Sequence, residues 1–150
     1  MQDNVLAIDP GTSNSAYVVW DGKTILAKGK VSNADMLDIT RRWKPGRVAI
    51  ERIASYGMPV GEEIFTTVLW AGRFLEAASV GGSSVTLIYR RQVKMHLCGT
   101  ATAKDGNIRQ RLIDLLGAPG TKKAPGVTYG VSSDIWAALA VAVTYWELYR

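Results

Sequence analysis

Val5-Leu6-Ala7-Ile8-Asp9-Pro10-Gly11-Thr12 begins with four apolar residues that run into an acid and then a turn. A short apolar run bounded by turn residues predicts a buried strand, here Asn4 to Asp9. A carboxylate at the end of such a strand is costly unless it is paired or bound to a cation. The arrangement recurs where Val48-Ala49-Ile50 closes on Glu51, and a third acid, Asp134, opens the apolar helix that starts Ile135-Trp136-Ala137-Ala138. One acid at a strand end means little. Three, on three elements spread along the chain, point to carboxylates gathered around a metal ion at one edge of a sheet.

Working outward, Ser15 to Trp20 reads as a second strand and Thr24 to Lys30 as a third, joined by a two-residue hairpin signal at Asp21-Gly22. Met36, Leu37, Ile39 and Trp43 fall at helical spacing in a helix from Ala34 to Trp43, which Pro45-Gly46 ends. Arg47 to Glu51 is the fourth strand, and residues 52 to 60 form a loop. A long helix spans Glu62 to Ala78. Gly81-Gly82 turns the chain into a fifth strand, Ser84 to Tyr89. Shorter helices follow at Gln92 to Leu97 and Lys104 to Leu116, the latter with Ile108, Leu112, Ile113 and Leu116 inward. Residues 117 to 130 are a loop rich in Gly, Pro and Lys, and the last helix runs from Ser133 to Tyr149. Three strands in hairpin order, then strands alternating with helices, predict an α/β architecture: a five-stranded mixed sheet flanked by helices.

The length of 150 residues, with 47% apolar and 21% charged residues, predicts one globular domain over 1–150. No apolar run approaches the roughly 18 residues of a membrane span. Met1-Gln2-Asp3-Asn4 lacks the pattern of a signal peptide, and a single cysteine, Cys98, fits a reducing compartment, so a cytoplasmic location is expected. Cys98 itself reads as a small buried apolar side chain. The net charge of +5 is unevenly spread. Residues 90 to 123 carry eight basic side chains (Arg90, Arg91, Lys94, Lys104, Arg109, Arg111, Lys122, Lys123) against Asp105 and Asp114, a local field suited to a polyanion such as nucleic acid.

The order of elements, read with four motifs, resembles the ribonuclease H-like fold and, within it, the RuvC-like Holliday junction resolvases. Ala7-Ile8-Asp9-Pro10-Gly11-Thr12 is similar to that family's opening signature, and Ala49-Ile50-Glu51 to its acid-ending fourth strand. Arg91-Gln92-Val93-Lys94 matches the segment carrying an active-site lysine, and Asp134 with Ala138-Leu139-Ala140-Val141-Ala142 matches the carboxylate-bearing last helix. The compact size and the Lys122-to-Tyr129 loop are more similar to phage versions, which would act in the host cytoplasm. The resemblance implies a homodimer that cuts four-way and other branched DNA. It implies two Mg²⁺ ions per site, with Mn²⁺ able to substitute. Asp9 would bridge the ions, Glu51 and Asp134 would be further ligands, and Lys94 would offset charge on the scissile phosphate. Tyr56, in the loop after Glu51, would meet the crossover, while Arg90, Arg91, Lys94, Lys104, Arg109, Lys122 and Lys123 would contact DNA. Phe65, Leu69, Trp70 and Phe74 would supply a dimer surface on the long helix.

One departure stands out. The family has a second acid or a histidine one turn after the first on the last helix, where this chain has Ala137. Asp105 is the candidate to fill in, with His96 behind it. Each acid also has a plainer account: Asp134 as a helix-start residue, Glu51 as the ion-pair partner of Arg52, Asp9 as a turn residue bonding its own backbone. Three other functions fit parts of the chain. A non-catalytic DNA-binding module would explain Ala137. A nuclease of the same fold could act on RNA or RNA–DNA hybrid. The run Ile8 to Ser15 also resembles the first phosphate loop of actin-like and heat-shock ATPases, but a second such loop is not evident.

Overall fold

The computed structural model describes residues 3–43 and 46–150. Five strands, β1 (Val5–Asp9), β2 (Asn14–Trp20), β3 (Ile25–Ser32), β4 (Arg47–Arg52) and β5 (Ser84–Tyr89), form one sheet in the order β3-β2-β1-β4-β5. The first three are antiparallel, while β1-β4-β5 run parallel. Five helices complete the chain: α1 (Asn33–Arg42), α2 (Glu62–Val80), α3 (Arg90–Cys98), α4 (Asp105–Leu116) and α5 (Ile135–Leu148). This is the expected α/β architecture with a five-stranded mixed sheet.

Successive strand residues face opposite sides, so the sheet builds two cores. Val5, Ala7, Ala16, Val18, Ala49 and Ile88 pack beneath α5, α3 and α4. Leu6, Ile8, Val48 and Ile50 pack on the other side against Met36 and Leu37 of α1 and Phe74 and Ala78 of α2. Helix α5 is apolar on all sides because the sheet covers one flank while α3 and α4 cover another; Ala138 to Tyr145 are buried without a break. Among the described residues, no helix is long and apolar enough to cross a membrane.

Several local details differ from the sequence expectation. The β2–β3 connection is not a two-residue hairpin. Asp21 accepts hydrogen bonds from the backbone N–H groups of Lys23 and Thr24 and from the Thr24 hydroxyl, which closes a four-residue loop from Asp21 to Thr24. Strand β3 continues to Ser32, whose hydroxyl then caps α1 by accepting the Asp35 N–H. Helix α1 ends at Arg42; the expected stop at Pro45 lies outside the described residues. Helix α3 starts directly at Arg90, because the Gln92 side chain accepts the Tyr89 N–H and no loop is needed. Cys98 is partly buried against the α5 core, not fully enclosed.

The loop before α5 folds on itself. The Gly126 N–H bonds the Pro119 carbonyl, the Thr121 N–H bonds the Ala124 carbonyl, and the buried Thr128 hydroxyl donates to the Gly117 carbonyl. Gly120 and Gly126 lie so close to the carbonyls of Ala124 and Ala118 that a side chain at either would collide with backbone. Lys122 and Lys123 stand exposed at the tip.

Candidate active site

Strand parity aims the acids. Ala7 and Ala49 face α5, so Asp9 and Glu51, two residues further along their strands, face the same way. Helix α5 begins above this edge with Asp134. The turn after Asp9 is fixed by a closed set of bonds: the Gly11 N–H donates to Ser15 Oγ (3.1 Å), the Ser15 hydroxyl to Asn33 Oδ1 (2.6 Å), and the Asn33 amide to the Gly11 carbonyl (2.9 Å). Asp9, Glu51 and Asp134 all line one open cleft of about 810 Å³, together with Arg90, Asp105, Arg109 and Ala137.

Two basic side chains reach into the acids. Lys30 Nζ lies 2.7 Å from Asp134 Oδ2, and Arg90 Nη1 lies 3.7 Å from Glu51 Oε1 while its second nitrogen pairs with Asp105. Burial raises the Asp9 carboxyl from 3.8 to about 8; Glu51 and Asp134 add repulsion, and Arg90 and Lys30 offset part of it. Burial also raises Glu51, against the pull of Arg90. Carboxylates in this state are short of positive charge, and they offer only the hard oxygen donors that Mg²⁺ and Mn²⁺ prefer. The donor set therefore suits a divalent cation. Among the described residues, however, no group of three or more His, Cys, Asp or Glu side chains is gathered so as to hold one as it stands. Asp134 is drawn toward β3, and Glu51 and Asp105 are drawn toward Arg90.

The simpler accounts of Asp134 and Glu51 hold only in part. Asp134 occupies the N-cap position of α5 but makes no capping hydrogen bond. Glu51 pairs with Arg90, not with Arg52. Asp105, at the start of α4, does enter the cleft. His96 does not: it bonds Glu147 at 2.9 Å and lines a separate depression. Lys94 is outside the cleft lining, yet near enough for its charge to lower Glu51. Arg109 lines the cleft with its guanidinium 6.0 Å from the Trp136 ring. Arg91, Lys104, Lys122 and Lys123 are exposed and outside the cleft lining.

Tyr56 is exposed and has a left-handed backbone (φ 49°), with its ring 6.5 Å from Tyr89 and 5.8 Å from the Arg91 guanidinium. The other non-glycine of this kind among the described residues is Ser133 (φ 50°), directly before Asp134. Strain of this sort persists where surrounding structure enforces it. On α2, Phe65, Val68 and Leu69 are exposed, but Phe74 is fully buried in the chain's own core and leaves the expected dimer surface. Lys30 belongs to none of the sequence motifs; its only signal is its place on the α5 face of β3.

No protein-family model matches the chain, and no curated protein matches it in sequence. Solved structures do. A structure of Thermus thermophilus RuvC aligns at 27% identity with a TM-score of 0.69, over 97% of this chain and 96% of that one. Thermus thermophilus RuvC in complex with Holliday junction substrate aligns at 26% identity with a TM-score of 0.69, over 96% and 93% of the two chains.

Proposed function

Because the chain has a RuvC-like, ribonuclease H-like fold, we propose that it is a cytoplasmic, structure-selective endonuclease, a single domain over 1–150 that resolves four-way and other branched DNA junctions. The observation that carries the reading is the convergence of Asp9, Glu51 and Asp134, from two neighbouring strand ends and a helix start, on one cleft bordered by basic side chains. The similarity to a RuvC solved with Holliday junction substrate supports the choice of DNA.

Asp9, Glu51 and Asp134 would hold divalent cations, Mg²⁺ or Mn²⁺, with Asp105 a further acid at the rim; the family resemblance sets the number at two. When bound, such a cation supplies Lewis-acid stabilisation of the phosphodiester oxygens and lowers the pKa of water. The protein's own contribution is placement and charge. The turn after Asp9 is fixed by the Gly11–Ser15–Asn33 bonds, and Lys94 adds positive charge on the Glu51 side, where the phosphate gains charge in the transition state. Arg90 and Arg109 meet the backbone at the cleft, Arg91, Lys104, Lys122 and Lys123 meet it outside, and Tyr56 meets an unpaired base. Two symmetric cuts call for a two-fold dimer, built on the exposed Phe65 and Leu69 of α2 with Trp70 beside them.

Incubation with Mg²⁺ and either a four-way junction or a linear duplex of the same sequence tests the proposal; cleavage of the junction alone is the expected result. A second reading, a non-catalytic DNA-binding module, is favoured by the Lys30–Asp134 pair and by Ala137 in the cleft. Junction binding without cleavage in either Mg²⁺ or Mn²⁺ would establish that alternative.

A further inference from the structure

Lys30 stands on the edge strand β3, in the same cross-strand row as Asp9: Asp9 pairs with Ala16, and Ala16 pairs with Lys30. Directly opposed residues share a face, so all three point toward α5. The residue between the acid and the lysine is a fully buried alanine, small enough for the lysine chain to cross over it toward the start of α5. The ammonium ends on Asp134, the one acid of the three that is exposed.

We infer that Lys30 is a positioning residue that keeps Asp134 out of the metal site in the free protein and gives it up to a divalent cation once a DNA phosphate takes the ammonium. Three acids around one cleft repel one another, and in the free protein Lys30 and Arg90 neutralise them from opposite sides. Full gathering of the acids around a cation requires the Lys30–Asp134 pair to open. An exposed ion pair is weak and exchanges readily. A phosphodiester oxygen is an equivalent acceptor for the ammonium, and the cation is the better partner for the freed carboxylate. Each charge keeps a partner through the exchange. DNA and metal then tighten each other's binding by one common factor, as linkage requires.

The inference rests on the metal-dependent reading, and the test separates the two. Mn²⁺ is titrated into the free protein and followed by electron paramagnetic resonance; junction affinity is measured with and without Ca²⁺ by fluorescence anisotropy. Lys30→Gln should tighten Mn²⁺ binding by about fivefold and should shrink the gain in junction affinity that Ca²⁺ gives the wild type. Lys28→Gln makes the same charge change on the same strand, at a side chain that lies against Gly130, and should change Mn²⁺ affinity less than about twofold. Mn²⁺ binding that is unchanged in Lys30→Gln, or equally tightened in Lys28→Gln, overturns the role of Lys30 while leaving the metal site intact. Absence of Mn²⁺ binding in all three proteins, with or without DNA, overturns both.

Discussion

Asp9 and Glu51 leave the sheet side by side: Ile8 and Ile50 are register partners on parallel strands, and each acid is the next residue along. Neighbouring strands lie about 4.8 Å apart, so two carboxylates of like charge are held within one cation's reach by backbone geometry alone. Asp9→Asn, Glu51→Gln and Asp134→Asn should each lower junction cleavage by about a hundredfold or more, while junction binding measured without metal stays equal or tightens. Wild-type single-turnover cleavage by any one of these variants would remove that acid from the reaction.

Burial, with the repulsion of nearby Glu51 added, has a cost in the metal-free protein. The Asp9 carboxyl is raised from 3.8 to about 8, so over that window the folded protein binds more protons than the unfolded chain and loses stability as pH rises. Below about pH 4 both states are protonated and the penalty is absent. Asp9→Asn should therefore raise the Tm of metal-free protein at about pH 8.5 by about 5 °C or more and leave it nearly unchanged at about pH 4. Scanning calorimetry in EDTA at the two pH values checks this. Addition of Mg²⁺ should stabilise the wild type and not the variant.

Leu69 is 70% exposed and Phe65 56%, whereas Phe74 is fully buried on the same helix. Phe65→Glu and Leu69→Glu should weaken self-association by about tenfold or more with normal folding. Phe74→Ala should instead cost about 3–5 kcal/mol of stability through the cavity it leaves. Sedimentation equilibrium with denaturant titration separates the two effects. A wild-type protein that is monomeric at micromolar concentration, with and without DNA, ends the dimer proposal.

Tyr56 makes its ring contacts with Tyr89 and Arg91 only at the surface. Tyr56→Ala should leave stability within about 0.5 kcal/mol of wild type but slow junction cleavage by about tenfold, the removal of one stacked base being worth roughly 1–3 kcal/mol. Fluorescence of a 2-aminopurine at the crossover should fall on the same substitution. Wild-type cleavage by Tyr56→Ala rules out the stacking role.

Lys94 and the loop lysines should separate kinetically. Removal of Lys122 or Lys123 should weaken binding and flatten the dependence of log affinity on log salt by roughly one unit for each phosphate left without its lysine. Lys94→Ala should depress the cleavage rate at saturating DNA, because charge near Glu51 is needed most in the transition state. A Lys94→Ala protein with reduced affinity and normal single-turnover cleavage belongs with the loop lysines.

Elements dominated by hydrophobic runs are legible in the sequence: β1, β4, β5 and α5 follow from burial patterns that fix both type and approximate length. Asp9, Glu51, Asp134 and Asp105 do meet at one cleft, because strand-end and helix-start positions are local properties. What the sequence conceals comes from register and partners. A two-residue turn at Asp21-Gly22 would set Ala16 opposite Ala27; the four-residue loop closed by Asp21, together with a one-residue register shift between Val19 and Trp20, sets it opposite Lys30. The odd residue at that shift turns the β3 side chains beyond it to the other face and moves a lysine from outside the site into it. The burial of Phe74 is hidden similarly, because an apolar residue on a wide helical stripe does not reveal which neighbour covers it.

The loop before α5 gathers its structural requirements in its stem. Gly120, Gly126 and Thr128 fix its path through backbone contacts and hydrogen bonds, whereas Lys122 and Lys123 at the tip make none of those bonds. The path of the loop therefore depends on the stem residues and not on the side chains at the tip. Charge or bulk can be exchanged at the tip with the stem bonds that lead the chain to α5 left in place; under the proposed function, such exchanges would change how a branched substrate is engaged. Grafting other tips onto this stem is therefore a route to retargeting the proposed nuclease.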